Sequence, residues 1–376
     1  MSKEQEGLLR IAVIGVGSFG RNHARVYREL ANERQQAGAA GKLELAAVVD
    51  RDRGRAEAVA AEFGAHAYTD IDALLANEKI DAATVAVPTI AHLAVARTLL
   101  EAGVDVLVEK PLAVDLAEAD ALIELARRHG RVAQVGHLER FNPAVRAALP
   151  HVTRPMFFEV HRLSVFTARS LDVDVVMDLM IHDLDVVLSL VNSPVRDLRA
   201  VGLPVLTPKV DIANVRVEFE SGCVANFTAS RVSTERVRKL RFFQPQQYVS
   251  LDYSRRDVFM LTVKPAAAGQ DAYPSNPKAG LHPNEPTQGS SGTPGLPGTP
   301  GSRFSLPEIV PSKPEVVSEE PLRAELRSFL EAVASRARPV VSLEDGRRAL
   351  ELALQVRSRM EEHSRRVGLP GLMNLR

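Results

Sequence analysis

Short apolar runs alternate with longer amphipathic stretches from residue 10 to about residue 135. The apolar runs have the length of strands and lie at 10–16, 43–49, 83–87, 105–108 and 132–135. The stretches between them have the length of helices and lie at 18–32, 54–63, 90–102 and 117–129. Strands that alternate with helices form βαβ units with right-handed crossovers. Residues 1–138 are therefore predicted to form a Rossmann domain with a doubly wound parallel sheet.

The pattern changes after about residue 140, where extended segments follow one another at hairpin-like spacing. They lie at 157–164, 196–203, 213–219, 224–231, 239–243 and 248–252. An apolar helix is predicted at 175–191, and amphipathic helices at 322–335 and 343–363 are separated by an extended stretch at 338–341. Residues 139–376 are therefore predicted to form an α/β substrate and oligomerisation domain. Its sheet is open and mostly antiparallel, with one face covered by helix.

Residues 265–315 interrupt this second part because they are dense in Pro, Gly, Ser and Thr. The triplet period in GTPGLPGTPG, at 292–301, is too short to form a collagen helix on its own. With few large apolar residues, the segment cannot bury enough surface to offset the entropy lost on ordering. It is predicted to be a flexible insertion at the surface.

The composition is that of a globular protein in a reducing compartment. The 376 residues are too many for one ordinary core, which favours two domains. Lys plus Arg and Asp plus Glu number 47 each, so no net charge attracts nucleic acid or an anionic membrane. The one cysteine, Cys223, excludes an internal disulfide, and no apolar run reaches the ~18 residues of a membrane span. Since the N-terminus has no signal-peptide pattern, a cytoplasmic protein is expected.

A glycine motif follows the first predicted strand and opens the first predicted helix. It reads Gly15-Val-Gly17-Ser18-Phe19-Gly20. In a dinucleotide site the three glycines permit the tight turn, the approach of a pyrophosphate and the close packing of helix on strand. The helix N-terminus then offers free N–H groups to the phosphates. The motif predicts an NAD-type site, and the alternative is a glycine turn in a nucleotide-free domain.

Asp50 ends the second predicted strand, where an acidic residue commonly binds the adenosine ribose. Its carboxylate would accept hydrogen bonds from the ribose hydroxyls and repel a 2′-phosphate, which favours NAD over NADP. Two observations oppose this interpretation. The spacing from Gly15 exceeds the usual ~20 residues, and Arg51 offers a cation to a 2′-phosphate.

Glu109-Lys110-Pro111 follows the fourth predicted strand directly. Ligands of open α/β sheets bind beyond the carboxyl ends of the strands, so Lys110 is expected where a nicotinamide and its substrate meet. The alternative is a solvated loop lysine.

The apolar helix at 175–191 carries a narrow polar stripe. At ~100° per residue, Asp178, His182, Asp185 and Ser189 share one face, and Asp183 lies off it at a solvent or packing position. Unpaired burial of such groups costs several kcal/mol, so a functional pair is predicted in which Asp178 contacts and orients His182. The alternative is a stripe that faces water or another subunit. A metal site lacks a third ligand at suitable spacing and is not predicted.

These motifs together resemble the Gfo/Idh/MocA oxidoreductases. The resemblance includes Val87-Pro88-Thr89-Ile90-Ala91-His92 and the C-terminal Pro339–Leu350, and it spans about residue 10 to about residue 360. It implies a Rossmann domain joined to an open sheet domain, NAD as cofactor, and a homodimer or homotetramer. It implies that Lys110 is the active-site lysine and that His182 is the acid/base beside Asp178. Pro88, Thr89, His92 and Glu109 are then expected at the cofactor. Met180 departs from the glycine that the family often has there.

Three further stretches look like the branch of that family that oxidises the 3-hydroxyl of UDP-N-acetylglucosamine, toward a 3-amino sugar of lipid A. They are 136–143, 178–185 and 229–233. This resemblance implies that Arg140, Asn142 and Arg231 join the catalytic residues at a nucleotide-sugar substrate. The run from Arg231 to Arg241 holds the cations that a diphosphate needs, although a basic outer strand explains it equally well.

Two other functions stay open at this point. The same fold can oxidise another sugar, an inositol or another nucleotide sugar. The chain can also bind NAD as a non-catalytic sensor or scaffold, although such a protein needs neither Lys110 nor His182.

Overall fold

The predicted apolar runs of the first part of the chain form the strands of one sheet. A computed structural model describes residues 7–36, 42–167, 173–264 and 308–368. The six strands of this sheet are parallel and lie in the order β3-β2-β1-β4-β5-β6. They are β1 (Leu9–Ile14), β2 (Leu43–Val49), β3 (His66–Tyr68), β4 (Ala82–Val85), β5 (Asp105–Glu109) and β6 (Ala133–Gly136). This is the strand order of a dinucleotide-binding Rossmann fold, so the predicted fold is confirmed.

Five α-helices connect these strands, and three of them begin at an aspartate that caps the helix. They are α1 (Ser18–Gln36), α2 (Arg53–Phe63), α3 (Ile71–Asn77), α4 (His92–Glu101) and α5 (Leu116–Arg128). The carboxylates of Asp52, Asp70 and Asp115 accept backbone N–H groups in the first turns of α2, α3 and α5, which satisfies donors that a helix leaves free. The short elements β3 and α3 were not predicted, because three and seven residues are too few to show a periodicity.

The second sheet has eight strands in the order β14-β13-β12-β11-β7-β10-β9-β8. They are β7 (Phe157–Leu163), β8 (Val195–Leu203), β9 (Ile212–Phe219), β10 (Val224–Ser230), β11 (Val237–Gln244), β12 (Gln247–Asp252), β13 (Asp257–Lys264) and β14 (Glu308–Ser312). All neighbours pair antiparallel except β10 and β7, which are parallel. The predicted mostly antiparallel sheet is therefore confirmed.

β13 and β14, the two strands at one edge of this sheet, were not predicted from the sequence. β14 lies inside 265–315, which was predicted to be a flexible insertion. For Glu308–Ser312 that prediction is wrong, because this segment pairs with β13 from Met260 to Lys264. Residues 265–307 of the predicted insertion lie outside the described residues.

The remaining helices lie on and between the two sheets. A short helix α6 (Pro143–Ala148) follows β6, a π-helical turn (Val176–Met180) leads into α7 (Ile181–Val191), and α8 (Pro321–Ser335) and α9 (Leu343–Val367) end the described chain. α9 packs against β8, α7 and α5. α8 packs against α1, and its Leu326 and Phe329 are buried with Ile11 and Val13 of β1. The predicted second domain thus contributes a helix to the core of the first sheet.

One continuous core joins the two sheets beneath the carboxyl ends of the first. It contains Val108 and Val135 of the first sheet, Phe158 of the second, and Met180 and Ile181 between them. Among the helices that the structure describes, none combines the length and the apolar character needed to cross a membrane.

Candidate active site

The glycine turn after β1 has the geometry that its sequence predicts. Gly15 has a φ of +85°, and a Cβ there would lie 2.7 Å from the carbonyl oxygen of Ala86. A Cβ on Gly20 would overlap the carbonyl oxygen of Gly15, so α1 can approach β1 only because both residues are glycine. A Cβ on Gly17 would meet nothing within 4 Å. Gly17 therefore opens onto free space, as a turn that cradles a pyrophosphate must.

This turn forms one wall of a cleft of about 1030 Å³ at the carboxyl ends of β1, β2 and β4. Predicted cofactor residues that line the cleft are Gly15, Gly17, Ser18, Phe19, Asp50, Arg51 and Pro88. Its size and position are those of a dinucleotide site at the switch point of an open sheet. The residues of the cleft therefore fit NAD.

Asp50 lies inside this cleft and is tied to the glycine turn. Its Oδ2 accepts the backbone N–H of Val16 at 3.0 Å, and its Oδ1 accepts that of Asp52 at 3.0 Å. Arg55 lies 3.3 Å from both carboxylate oxygens, whereas Arg51 is exposed. Sequence reasoning missed Arg55, although its place in the first turn of α2 after Asp50 was a usable signal.

His92 and Thr89 were expected at the cofactor but are not among the residues that line the cleft. The His92 side chain is buried, with Nε2 3.0 Å from the carbonyl oxygen of Val87 and Nδ1 3.1 Å from that of Pro111. Burial lowers the pKa of His92, which favours a neutral ring. A neutral imidazole carries one N–H, so it donates to only one of these two carbonyl oxygens, while the ring lies between the loop after β4 and the loop after β5.

Glu109 is also buried away from the cleft and holds the start of the Lys110 loop. Its Oε1 lies 3.0 Å from Nε2 of the buried His23. A Cβ on Gly136 would lie 2.8 Å from the Glu109 carboxyl carbon, so the glycine of β6 makes room for this side chain. The predicted cofactor contact of Glu109 stays a prediction.

Lys110 reaches from the end of β5 to the turn that carries Asp178. Its Nζ donates a hydrogen bond to the Asp178 carbonyl oxygen at 2.8 Å and lies 4.0 Å from the Asp178 carboxylate. Burial lowers the pKa of Lys110, while the charges of Asp178 and Glu109 oppose the shift. The peptide bond between Lys110 and Pro111 is cis.

The π-helical turn changes the predicted polar stripe. The backbone N–H of Ile181 bonds to the carbonyl oxygen of Val176, a spacing of five residues that widens the turn. Among the described contacts, Asp178 makes no hydrogen bond with His182, and its carboxylate faces Lys110. The predicted orienting bond from Asp178 to His182 is therefore not present among the described contacts, and Asp178 contacts Lys110 instead.

His182 is half-buried at the start of α7. Its Nδ1 is enclosed and has no hydrogen-bond partner among the described residues. Burial lowers the pKa of His182 well below its ordinary value, and the positive charges of Lys110 and Arg162 lower it further. The imidazole is thus held neutral, in the form that can accept a proton.

Asp183 was expected at a solvent or packing position, and the structure excludes the solvent position. It is buried, and its two oxygens accept bonds from Nε and Nη2 of Arg162 at 2.7 and 2.8 Å. Arg162 also donates to Glu139 at 3.0 Å and lies over the ring of Tyr253. Sequence reasoning missed Arg162, although alternation with Phe158 and Val160 places it on the inner face of β7.

The three predicted substrate residues outside the catalytic set lie in structural contacts. Arg140 is 3.7 Å from the buried Asp185. Asn142 caps α6 with its oxygen, and its amide group donates to Glu139 and to the carbonyl oxygen of Tyr253. Arg231 is buried at 3.5 Å from Asp211 and bonds to the carbonyl oxygen of Val173. These contacts join the three side chains to other groups of the protein, and their predicted contact with a substrate stays a prediction.

Across the part of the chain that the structure describes, no three His, Cys, Asp or Glu side chains gather in a way that could hold a metal ion. Of the residues predicted to be catalytic, the structure brings Lys110 and Asp178 into direct contact.

Comparison with known proteins places this arrangement in a family. A family model described as "Oxidoreductase family, NAD-binding Rossmann fold" matches residues 9–137, and one described as "GFO/IDH/MocA C-terminal domain" matches residues 144–244. The chain is 35% identical over 354 residues to UDP-N-acetylglucosamine 3-dehydrogenase of Acidithiobacillus ferrooxidans, and the match covers 94% of this chain and 97% of that protein. The chain belongs to the Gfo/Idh/MocA family. It is an NAD-dependent dehydrogenase.

Other members of the Gfo/Idh/MocA family match it as well. The solved structure of the Acidithiobacillus ferrooxidans dehydrogenase superposes with a TM-score of 0.75 at 34% identity, covering 94% of this chain and 98% of that one. A scyllo-inositol 2-dehydrogenase of Bacillus subtilis is 28% identical over 61% of this chain and 69% of its own length. Both domains and their order are thus those of this family.

Proposed function

We propose that the chain oxidises the 3-hydroxyl of UDP-N-acetylglucosamine to a ketone, with NAD as cofactor. The family relationship makes the chain a dehydrogenase that acts on a CH–OH group of a sugar, and the particular sugar and hydroxyl are our proposal. The observation that most supports UDP-N-acetylglucosamine as the substrate is the match to the Acidithiobacillus ferrooxidans dehydrogenase over 94% of this chain. The match to the Bacillus subtilis scyllo-inositol 2-dehydrogenase covers only 61% of this chain.

The cleft behind the glycine turn is the proposed cofactor site. Gly17 and the N-terminus of α1 would hold the pyrophosphate, and Asp50 would accept hydrogen bonds from the adenosine ribose. When bound there, NAD supplies the acceptor for the hydride that leaves the sugar carbon. Glu109 and His92 contact the loop from outside the cleft, and this support would hold Lys110 beside the reacting carbon.

His182 is the proposed base. Its neutral ring can carry a hydrogen on the enclosed Nδ1 and accept the hydroxyl proton at Nε2. The O–H bond of the sugar breaks as its proton moves to His182, and the electron pair forms the carbonyl as the hydride leaves C3. A base whose pKa is lowered by burial stays neutral at physiological pH.

Lys110 is proposed to bind the reacting hydroxyl. One of its ammonium hydrogens is used by the carbonyl oxygen of Asp178, which leaves two for the substrate oxygen. A charged donor fixed in place before the reaction stabilises the negative charge that develops on that oxygen. The Asp178 carboxylate, 4.0 Å from Nζ, holds the lysine and favours its charged form.

The proposal is tested with NAD and a panel of UDP-N-acetylglucosamine, uncharged N-acetylglucosamine, myo-inositol and scyllo-inositol. We expect NADH absorbance to rise fastest, at low substrate concentration, with the nucleotide sugar. Faster oxidation of an inositol or of the free sugar would contradict the proposed substrate and leave the dehydrogenase assignment intact. Lys110→Met serves as the control for background reduction.

A further inference from the structure

The basic side chains between Arg231 and Arg241 have different surroundings in the structure. Arg231 is buried against Asp211. Arg241 lies 3.6 Å from Glu159 on the outer face of β11, with more than a third of each side chain exposed. Arg238 has the same parity as the buried Leu240 and Phe242, so it lies on the inner face of the strand. Arg238 therefore lies on the same face of the sheet as the buried Arg162.

Arg238 lies beside another arginine and lacks a carboxylate of its own. It is the register partner of Arg162 on the neighbouring strand β7. Arg162 takes both available carboxylates, Asp183 and Glu139, at 2.7 to 3.0 Å. No ion pair joins Arg238 to an acidic residue of the described chain, and its buried Nε has no hydrogen-bond partner there.

This unpaired guanidinium is close to the proposed base. Arg238 pairs in register with Arg162, and Arg162 binds Asp183, which follows His182 directly in the chain. The charge of Arg238 contributes to lowering the pKa of His182. Burial and the charge of Arg162 also lower the pKa of Arg238 itself. A half-buried cation with no ion pair of its own is a candidate for binding a ligand.

We infer that Arg238 binds an anionic group of the substrate, which in the proposed substrate is the diphosphate. The inference rests on the proposed function for the identity of the sugar, but not for the charge of the ligand. In a nucleotide sugar the diphosphate leaves C1 of the same ring that carries the reacting C3. A cation that binds it would therefore lie near the acid/base, and Arg238 is linked to the residue after His182 through Arg162 and Asp183. A guanidinium is suited to this because it can donate two parallel hydrogen bonds to phosphate oxygens.

The test measures binding by calorimetry to protein saturated with NAD, so that the dinucleotide cleft is already filled. Pyrophosphate and UDP-N-acetylglucosamine are titrated into the parent chain and into Arg238→Met, Arg238→Lys and Arg241→Met. We expect Arg238→Met to weaken both ligands about ten- to a hundredfold, as the loss of a charge-assisted hydrogen bond does. Arg238→Lys should recover part of that loss, and Arg241→Met on the opposite face should bind like the parent.

Thermal unfolding separates a ligand-binding role from a structural one. Because Arg238 is unpaired and lies against Arg162, Arg238→Met should unfold at no lower a temperature than the parent. A clearly lower unfolding temperature, or parent-like binding of both ligands by Arg238→Met, would overturn the inference. So would an equal loss in Arg241→Met, or a parent that does not bind pyrophosphate. If the parent binds pyrophosphate through Arg238 but oxidises a different sugar, the proposed substrate fails and the inference stands.

Discussion

At the scale of single residues, the proposed chemistry depends on two side chains whose charged forms are disfavoured by burial. His182 is kept neutral by burial and by neighbouring cations. Lys110 is desolvated but is held by Asp178. A base that is neutral and a charged donor beside it are what the oxidation of an alcohol requires.

The first prediction at this scale concerns turnover. Lys110→Met and His182→Asn should each lower kcat at least about a hundredfold, the usual effect of losing a general base or a fixed charge. Neither residue lines the dinucleotide cleft, so NAD affinity measured by calorimetry should change less than about threefold. A His182→Asn chain that binds NAD and turns over at nearly the parent rate would contradict the assignment of the base.

The second concerns pH. Because the base must be neutral and the pKa of His182 is lowered, the acid limb of kcat/KM should fall below the ordinary histidine pKa of ~6.5. Because Lys110 must be charged and its pKa is lowered, the alkaline limb should fall below the ordinary lysine value of ~10.4. Rates measured from pH 5 to pH 10 check both limbs, and His182→Asn should lose the acid limb. An acid limb above neutrality would contradict a buried neutral base.

At the scale of elements, the sequence predicted the helix at 175–191 but not its π-helical turn. A uniform ~100° per residue placed Asp178 next to His182, whereas the wider turn directs Asp178 to Lys110. No hydrophobic pattern distinguishes the two, because the choice depends on packing against the rest of the core. Asp183 was misplaced for a related reason, since its partner Arg162 lies 21 residues earlier in the chain, on another element.

The buried pair of Arg162 and Asp183 gives a prediction about stability. Removing one member of a buried ion pair typically costs about 3–5 kcal/mol. Arg162→Met should reach that range because it leaves both Asp183 and Glu139 without their cation. Asp183→Asn should cost less, since Arg162 keeps Glu139. Arg241→Met, which breaks a partly exposed pair, should cost under about 1 kcal/mol.

Urea unfolding of the three variants checks this order. Equal losses in Arg162→Met and Arg241→Met would show that the buried cluster does not stabilise the site.

At the scale of the whole molecule, both sheets and most of their helices were predicted, because strands buried on both faces form apolar runs and strands or helices buried on one face show a periodic pattern. What escaped prediction depends on long-range pairing. β14 looks like part of the Pro- and Gly-rich segment and becomes a strand only by pairing with β13. α8 is amphipathic in sequence, but no local sequence pattern shows that it packs against α1, beside the first sheet.

The outer face of the second sheet gives a prediction about assembly. Phe157, Phe243 and Tyr248 lie on adjacent strands with ring centroids 5.1 to 5.7 Å apart, and Phe243 is 37% exposed. If this face joins subunits of the predicted dimer or tetramer, Phe243→Lys should shift the mass measured by light scattering toward the monomer. An unchanged mass would place the subunit contact elsewhere.

The most direct measurement of the central claim uses UDP-N-acetylglucosamine labelled with deuterium at C3. We predict that incubation with NAD transfers the label to NADH, detected by mass spectrometry, and that the initial rate falls relative to unlabelled substrate. His182→Asn should form almost no labelled NADH. If NADH formed without deuterium while the sugar retained its label, oxidation at C3 would be contradicted.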